Sequence, residues 1–272
     1  MIDLHKITGS FDATPRMPAL FLGHGSPMNA IEENEFVQGF RKVSSEIETP
    51  KAILCISAHW ETRGTMVTSM EHPKTIHDFG GFPPELYAVE YPAPGSPELA
   101  QETKELINAI DVHLDDTWGL DHGAWSVIKH MYPKADVPVI QLSLDSTREA
   151  PDHYGLGKEL ITLREKGVLI VGSGNLIHNL QRLAWDRLND RFAYDWAYEA
   201  GSRMNQYILD GNHYELINYS KQGKKFQLSI PTPEHFLPLL YILALQNKKD
   251  GITLFNDQPV GGSLSMTSVK IG

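Results

Sequence analysis

At 272 residues and 41% hydrophobic content the chain can bury a sizeable core, and one α/β domain accounts for that length more simply than two small ones. Its 24 basic and 34 acidic residues leave a net charge of −10, which argues against nucleic acid or an anionic membrane as partner and favours a small-molecule substrate. Cys55 is the only cysteine, so an intrachain disulfide is excluded; inside an apolar run its thiol reads as inert core filler, suited to a reducing compartment.

Residues 1–17 are mixed and polar and read as an extension ahead of the first strand. They lack the basic and apolar regions of a signal peptide, and no apolar run approaches a membrane span. A soluble, cytoplasmic protein is expected, as a monomer or small homo-oligomer. Ala19 to Pro27, ALFLGHGSP, is a strand running into a tight turn: Gly23 and Gly25 permit the bend, and His24 is presented at the strand's carboxyl end. Asn29 to Ile47 spaces Ile31, Phe36, Phe40 and Val43 as a helix, closed by Thr49-Pro50. AILCISAHW, from Ala52 to Trp60, is a second strand, ending at His59. Thr65 to Met70 reads as another strand. It leads into a Gly- and Pro-rich loop, Thr75 to Pro83, that carries His77 and Asp78 and is placed to cover a site. In YPAPGSPELA, Ser96 is a helix N-cap and Pro97 suits the first turn, with Leu99, Thr103, Leu106 and Ile110 as the apolar face.

Val112 to Asp115 is a short strand, followed by a turn around His122 and an amphipathic segment through Trp125, Ile128 and Met131. Val137 to Asp145 has the continuous apolar character of an interior strand, and Tyr154 to Lys166 is the helix that returns the chain to the next one. That strand, VLIVGSGNLIHN from Val168 to Asn179, delivers His178. Asp186 to Asp210 reads as helix, packing through Phe192, Trp196, Met204 and Ile208. SIPTPEHFLPLLYILALQ is a proline-punctuated entry into an apolar helix with Glu234 and His235 in its first turn, and ITLFN and SLSMTSVKI close the chain as strands. Successive βα units predict a single α/β domain over 1–272: a central mixed sheet, helices on both faces, and a ligand site at the strand carboxyl ends.

Of the 12 histidines, His5, His72, His113, His130, His153 and His213 lie at polar, helical or terminal positions and read as structural. His24, His59, His122, His178 and His235 lie in small-residue turns after strands or at a helix start, where a neutral imidazole can face a cleft. His77, beside Asp78, is either an oriented substrate-binding imidazole or a helix cap and its neighbour. Spacing by itself argues little for a metal, since HExxH and CxxC are both missing. GHGSP could equally form a phosphate-binding turn, although no GxGxxG or P-loop lysine accompanies it.

GHGSP, SAHW, TIHDFGGFP, YPAPGSPELA, DHG, GSGNLIHN and PTPEHFLPLLY, in that order, resemble the class III extradiol ring-cleavage dioxygenase family, in its bacterial and plant 4,5-DOPA dioxygenase branch. The resemblance runs from about Met17 to the C-terminus. It implies one α/β domain with a mononuclear non-haem divalent metal at the strand ends: Fe(II) for ring cleavage, with Zn(II) the ion expected on isolation. By motif, His24 and His59 resemble two histidine ligands and the Glu234-His235 pair supplies the third. Protocatechuate-cleaving relatives use a glutamate there; this branch resembles one that offers the histidine, His235. His178 resembles the acid/base histidine, near enough in such a pocket to be a fourth ligand. His122 is implied to hydrogen-bond the oxygen-derived group and His77 to hold a substrate oxygen or carboxylate. The implied partners are O2 and a catechol such as L-DOPA, cleaved at the 4,5 position. A zinc-dependent hydrolase, or a non-catalytic metal-binding protein of the same fold, is the alternative.

Overall fold

The computed structural model describes residues 16–272; all of the N-terminal extension before Arg16 lies outside them. In chain order the elements are β1 (Ala19–Gly23), α1 (Glu35–Ser45), β2 (Ala52–Thr62), β3 (Thr65–Thr68), α2 (Pro84–Tyr87), α3 (Pro97–Leu106), β4 (Val112–Asp115), α4 (His122–Met131), β5 (Val139–Asp145), α5 (Ala150–Glu159) and β6 (Val168–Gly174). They continue with α6 (Asp195–Leu209), α7 (His213–Ile217), α8 (Lys224–Ser229), α9 (Leu237–Ala244), β7 (Ile252–Phe255), β8 (Pro259–Val260), β9 (Leu264–Ser265) and β10 (Ser268–Ile271).

β1 and the first halves of β2 and β6 are continuously apolar because both sheet faces are covered there, and the two-residue period of a strand divides each between two cores. Ala19, Phe21, Ala52, Leu54, Ile56, Val168 and Ile170 pack on one face with residues of α3, α5, α6 and α9. Leu20, Leu22, Ile53, Cys55, Leu169 and Val171 pack on the other with α1 and α4. The result is the expected single α/β domain with helices on both faces. Cys55 is buried in the second core, where burial pushes its thiol pKa up, as an inert filler requires.

The eight-stranded sheet has the order β4-β3-β5-β2-β6-β1-β10-β7. β1, β6, β2 and β5 are parallel, whereas β3 meets β5 and β10 meets β1 antiparallel, so the sheet is mixed as expected. The order decides the site. β2, β6 and β1 are adjacent and parallel, with Ser57 paired to Ser173 and Gly23 to Gly174, so the segments bearing His59, His178 and His24 leave the sheet side by side.

Several expected elements differ in extent: the strand expected over Val168–Asn179 ends at Gly174, that over Thr65–Met70 ends at Thr68, and SLSMTSVKI divides into β9 and β10. The first helix is split: Pro27–Ala30 forms a 3-10 turn capped by Ser26, and α1 starts afresh after Asn34, whose side chain accepts from the Phe36 and Val37 amides. The returning helix starts earlier, at Ala150, and ends at Glu159; a 3-10 turn follows, stopped by Gly167 at φ 83°. The helix expected from Asp186 begins only at Asp195, because the chain ahead of it is drawn to a C-terminal turn: the Ala184 and Tyr194 amides donate to the carbonyls of Gly261 and Gly262 at 3.0 and 2.9 Å. Among the described residues no helix is long and apolar enough to cross a membrane.

The segment entering β1 and the C-terminal strand are tied together by one buried cation. Arg164, 1% exposed, donates from Nε to Met17 O at 2.7 Å, from Nη1 to Leu245 O at 2.7 Å and Asp250 Oδ2 at 2.8 Å, and from Nη2 to Ile271 O at 3.1 Å. Replacing it removes this donor from three carbonyls and a carboxylate, of which Leu245 O and Asp250 keep only the longer contacts from Arg16 and the Asn247 amide. Arg164→Ala should cost about 3–5 kcal/mol, the usual loss when one partner of a buried pair is removed. A urea midpoint unchanged from the parent would contradict this role.

Candidate metal centre

Five histidines converge at the carboxyl edge of β1, β2 and β6. His24 follows β1 directly, its amide donating to Gly174 O at 3.1 Å. His59 lies within β2 instead of in a turn after it, because the pairing with β5 shifts register between Ile56 and Glu61, a bulge that re-aims the side chains there. His122 is the first residue of α4 and not part of a loop. His178 lies four residues beyond β6, and Glu234 and His235 precede α9 instead of forming its first turn.

Two glycines make the convergence possible. A Cβ on Gly174 would stand 2.1 Å from the carbonyl oxygen of His235, which accepts the Asn175 amide at 2.9 Å. A Cβ on Gly123 would stand 2.5 Å from Ser57 Oγ and 2.8 Å from the His59 ring. Neither backbone approach leaves room for a side chain. The start of α4 is further pinned by Asp121. This fully buried N-cap carboxylate accepts from Ser57 Oγ at 2.6 Å, the Ala124 amide at 3.1 Å and Gln141 Nε2 at 2.7 Å.

The rings of His24, His59 and His235 form a nearly equilateral triangle, with centroids 5.0, 5.1 and 5.3 Å apart. His122 lies 3.9 Å from His59 and 5.8 Å from His24, and His178 stacks on His235 at 3.5 Å with planes 7° apart. The ligating atoms of His24, His59 and His122 all lie within 4.8 Å of one another, and so do those of His178, Glu234 and His235.

Proton positions follow from the partners. Ser173 Oγ donates to Gly123 O at 2.5 Å, so at 3.0 Å from His24 it accepts, and His24 carries its proton on Nδ1. His235 Nδ1 donates to Glu234 Oε1 at 3.1 Å. His59 Nδ1 lies 3.3 Å from Asp78 Oδ2. Each Nδ1 thus faces an oxygen acceptor and each Nε2 is left with a lone pair. The Nε2 atoms of His24 and His59 approach to 3.2 Å. Two lone pairs at that distance repel unless a cation lies between them, and two nitrogens on one tetrahedral ion stand about 3.3 Å apart. The donor set therefore fits a divalent metal, with Nδ1 ties of the kind that orient metal-bound imidazoles.

His77 does not join the cluster. Its Nε2 donates to Val89 O at 2.9 Å, and its ring packs against Phe79, Tyr87 and Trp125; Phe79 in turn meets His122 at 5.5 Å. In the same loop it is Asp78, read from sequence only as a neighbour of His77, that reaches the cluster. Asp121, Ser173 and Gln141 also support the site, outside the residues that the motifs single out. An aspartate one residue before an apolar helix is a legible N-cap signal, whereas Ser173 and Gln141 lie inside buried strands whose sequence gives no sign of their partners.

The site is electrostatically one-sided. Burial, reinforced by the neighbouring imidazoles, holds His24 and His235 well below the ordinary histidine value. Burial and His122 lower His59 to about 3 against the pull of Asp78 and Glu234, and burial lowers His178 to about 4. In the unfolded chain these rings titrate near 6.5, so at lower pH the unfolded state binds more protons and folding stability falls. The contribution is complete above pH 6.5 and is lost on acidification towards about 3 to 4, with a slope of about 1.4 kcal/mol per pH unit for each such histidine. The metal-free protein should therefore melt at a clearly lower temperature at pH 5 than at pH 7; equal melting temperatures would contradict a neutral cluster.

A family profile for the catalytic LigB subunit of aromatic ring-opening dioxygenase matches residues 17–259. The chain is 47% identical over 269 residues to the 4,5-DOPA dioxygenase extradiol of Escherichia coli K12, covering 96% of each, and 38% identical to that of Beta vulgaris, covering 92% of this chain and 94% of that one. The crystal structure of an uncharacterized protein from Escherichia coli K12 superposes with a TM-score of 0.80 at 43% identity, covering 94% of this chain and 100% of the other. With the histidine cluster where such a fold would carry its chemistry, the chain belongs to the LigB family of aromatic ring-opening dioxygenases and is an enzyme similar to 4,5-DOPA extradiol dioxygenases.

Proposed function

We propose that this protein opens the ring of a catechol such as L-DOPA by 4,5-extradiol cleavage with O2, using a mononuclear Fe(II) held by His24, His59 and His235. The observation that carries this reading is the near-equilateral triangle of those three rings, each with an oxygen acceptor beside its Nδ1. Bound Fe(II) supplies a Lewis acid for the catechol oxygens and a redox centre for O2, which zinc in the same place could not.

His178 serves as the acid/base. Its ring stacks on His235 and, among the described residues, makes no ring contact with His24 or His59, which favours a place beside the metal over one in its ligand shell. Burial holds its pKa down to about 4, so at pH 7 the ring is neutral and keeps the lone pair that a base needs. Phe79, half-buried between His77 and His122, contributes aromatic surface that suits a planar ring, with the buried Trp125 packed behind it. His77 has spent its Nε2 proton on Val89 O, so in its neutral form the remaining nitrogen accepts. It then suits a substrate hydroxyl or ammonium, and not the carboxylate that the resemblance implied.

After anaerobic loading with Fe(II), addition of L-DOPA should give oxygen uptake and a yellow ring-opened product, and a zinc-loaded sample should give neither. No uptake with any catechol at full iron occupancy would return the reading to a hydrolase or a non-catalytic metal protein. His24→Ala and His59→Ala should lose metal and activity together, and retention of full metal content would refute them as ligands. His178→Ala should keep the metal and lose about 10²–10⁴-fold in kcat; loss of the metal would make it a ligand instead.

A further inference from the structure

Asp78 touches two of the five clustered histidines with one oxygen. Its Oδ2 lies 3.0 Å from His122 Nδ1 and 3.3 Å from His59 Nδ1, and its Oδ1 accepts the backbone amide of His122 at 2.8 Å. His122 Nδ1 is buried and finds no other hydrogen-bond partner among the described residues, which leaves the Asp78 carboxylate at 3.0 Å as the acceptor it faces. The amide bond at the start of α4 stops the carboxylate from rotating to serve one ring at the other's expense. The loop that delivers it is itself held: Ile76 donates to Leu120 O at 2.7 Å, and Trp125 Nε1 donates to Ile76 O at 2.8 Å.

We propose that Asp78 is a positioning residue that holds His59 and His122 together in the Nδ1–H tautomer, so that one carboxylate turns two Nε2 lone pairs into the site. For His59 this rests on the metal-ligand reading above; for His122 it does not. The consequence for His122 is specific: in the Nδ1–H tautomer its Nε2 meets the site as a hydrogen-bond acceptor.

The decisive variant is Asp78→Asn. The carboxamide oxygen can still accept the His122 amide, but the NH2 group then faces both Nδ1 atoms as a donor and drives both rings to the Nε2–H tautomer, which cannot ligate through Nε2. Imidazole 15N chemical shifts of the full-length protein report the tautomer without any activity measurement. The parent should show Nδ1–H for His59 and His122 in the metal-free state, and Asp78→Asn should show Nε2–H for both. Zinc affinity of the full-length protein, by competition with a chelator, should fall about 10- to 100-fold in Asp78→Asn and recover at least in part in Asp78→Glu, with the thermal unfolding of the metal-free protein little changed. An Nε2–H tautomer at either ring of the parent, or zinc affinity within twofold of the parent in Asp78→Asn, would overturn the proposal. If the parent bound no zinc or iron, the metal-ligand reading would fail, and the parent's 15N shifts would still decide the role of Asp78.

Discussion

Two imidazole nitrogens facing each other at 3.2 Å, with their protons directed away from one another, are the constraint around which this domain is built. Neutral lone pairs do not gather in a buried space unaided. Each ring is brought there by backbone that passes closer than a side chain would allow, and each is turned by an oxygen behind its Nδ1. The oxygens come from different parts of the chain: a serine in β6, an aspartate in the loop before α2, and a glutamate just ahead of α9. The same burial that makes the rings reluctant to take a proton keeps them available as neutral donors to a metal.

The sheet supplies the other half of the explanation. Because β2, β6 and β1 are neighbours and run in parallel, residues far apart in sequence leave the sheet together at one edge. α4 adds His122 from the side, with its N-terminus locked to β2 and β5 through Asp121, Ser57 and Gln141. That buried carboxylate lies close to the imidazoles without being aimed at them. It accepts from a serine, an amide side chain and a helix start, which assigns it to architecture and leaves Asp78 and Glu234 as the carboxylates that serve the rings.

Much of this was legible in the chain itself. Apolar runs ending in small residues and a histidine announced strands whose carboxyl ends carry function, and both fold class and mixed sheet follow from them. Extents were less legible where tertiary pairing overrode local preference. Residues 186–194 have helical composition, yet the Asp190 and Phe192 carbonyls and the Tyr194 amide are used by the turn at Gly261 and Gly262, and β2 runs through a bulge to Thr62, which leaves His59 within the strand. In the TIHDFGGFP loop the histidine drew attention, while the structure turns the aspartate inward and leaves His77 among aromatic rings. Sequence spacing cannot decide which of two adjacent polar residues faces a site when the loop has no period.

The central claim is that these histidines form one metal shell. X-ray absorption at the iron edge of the anaerobic Fe(II)-loaded protein tests it most directly. The account predicts a first shell containing three imidazole nitrogens, with the outer-shell scattering that imidazole rings give. A shell of oxygen atoms alone, without imidazole scattering, would contradict it.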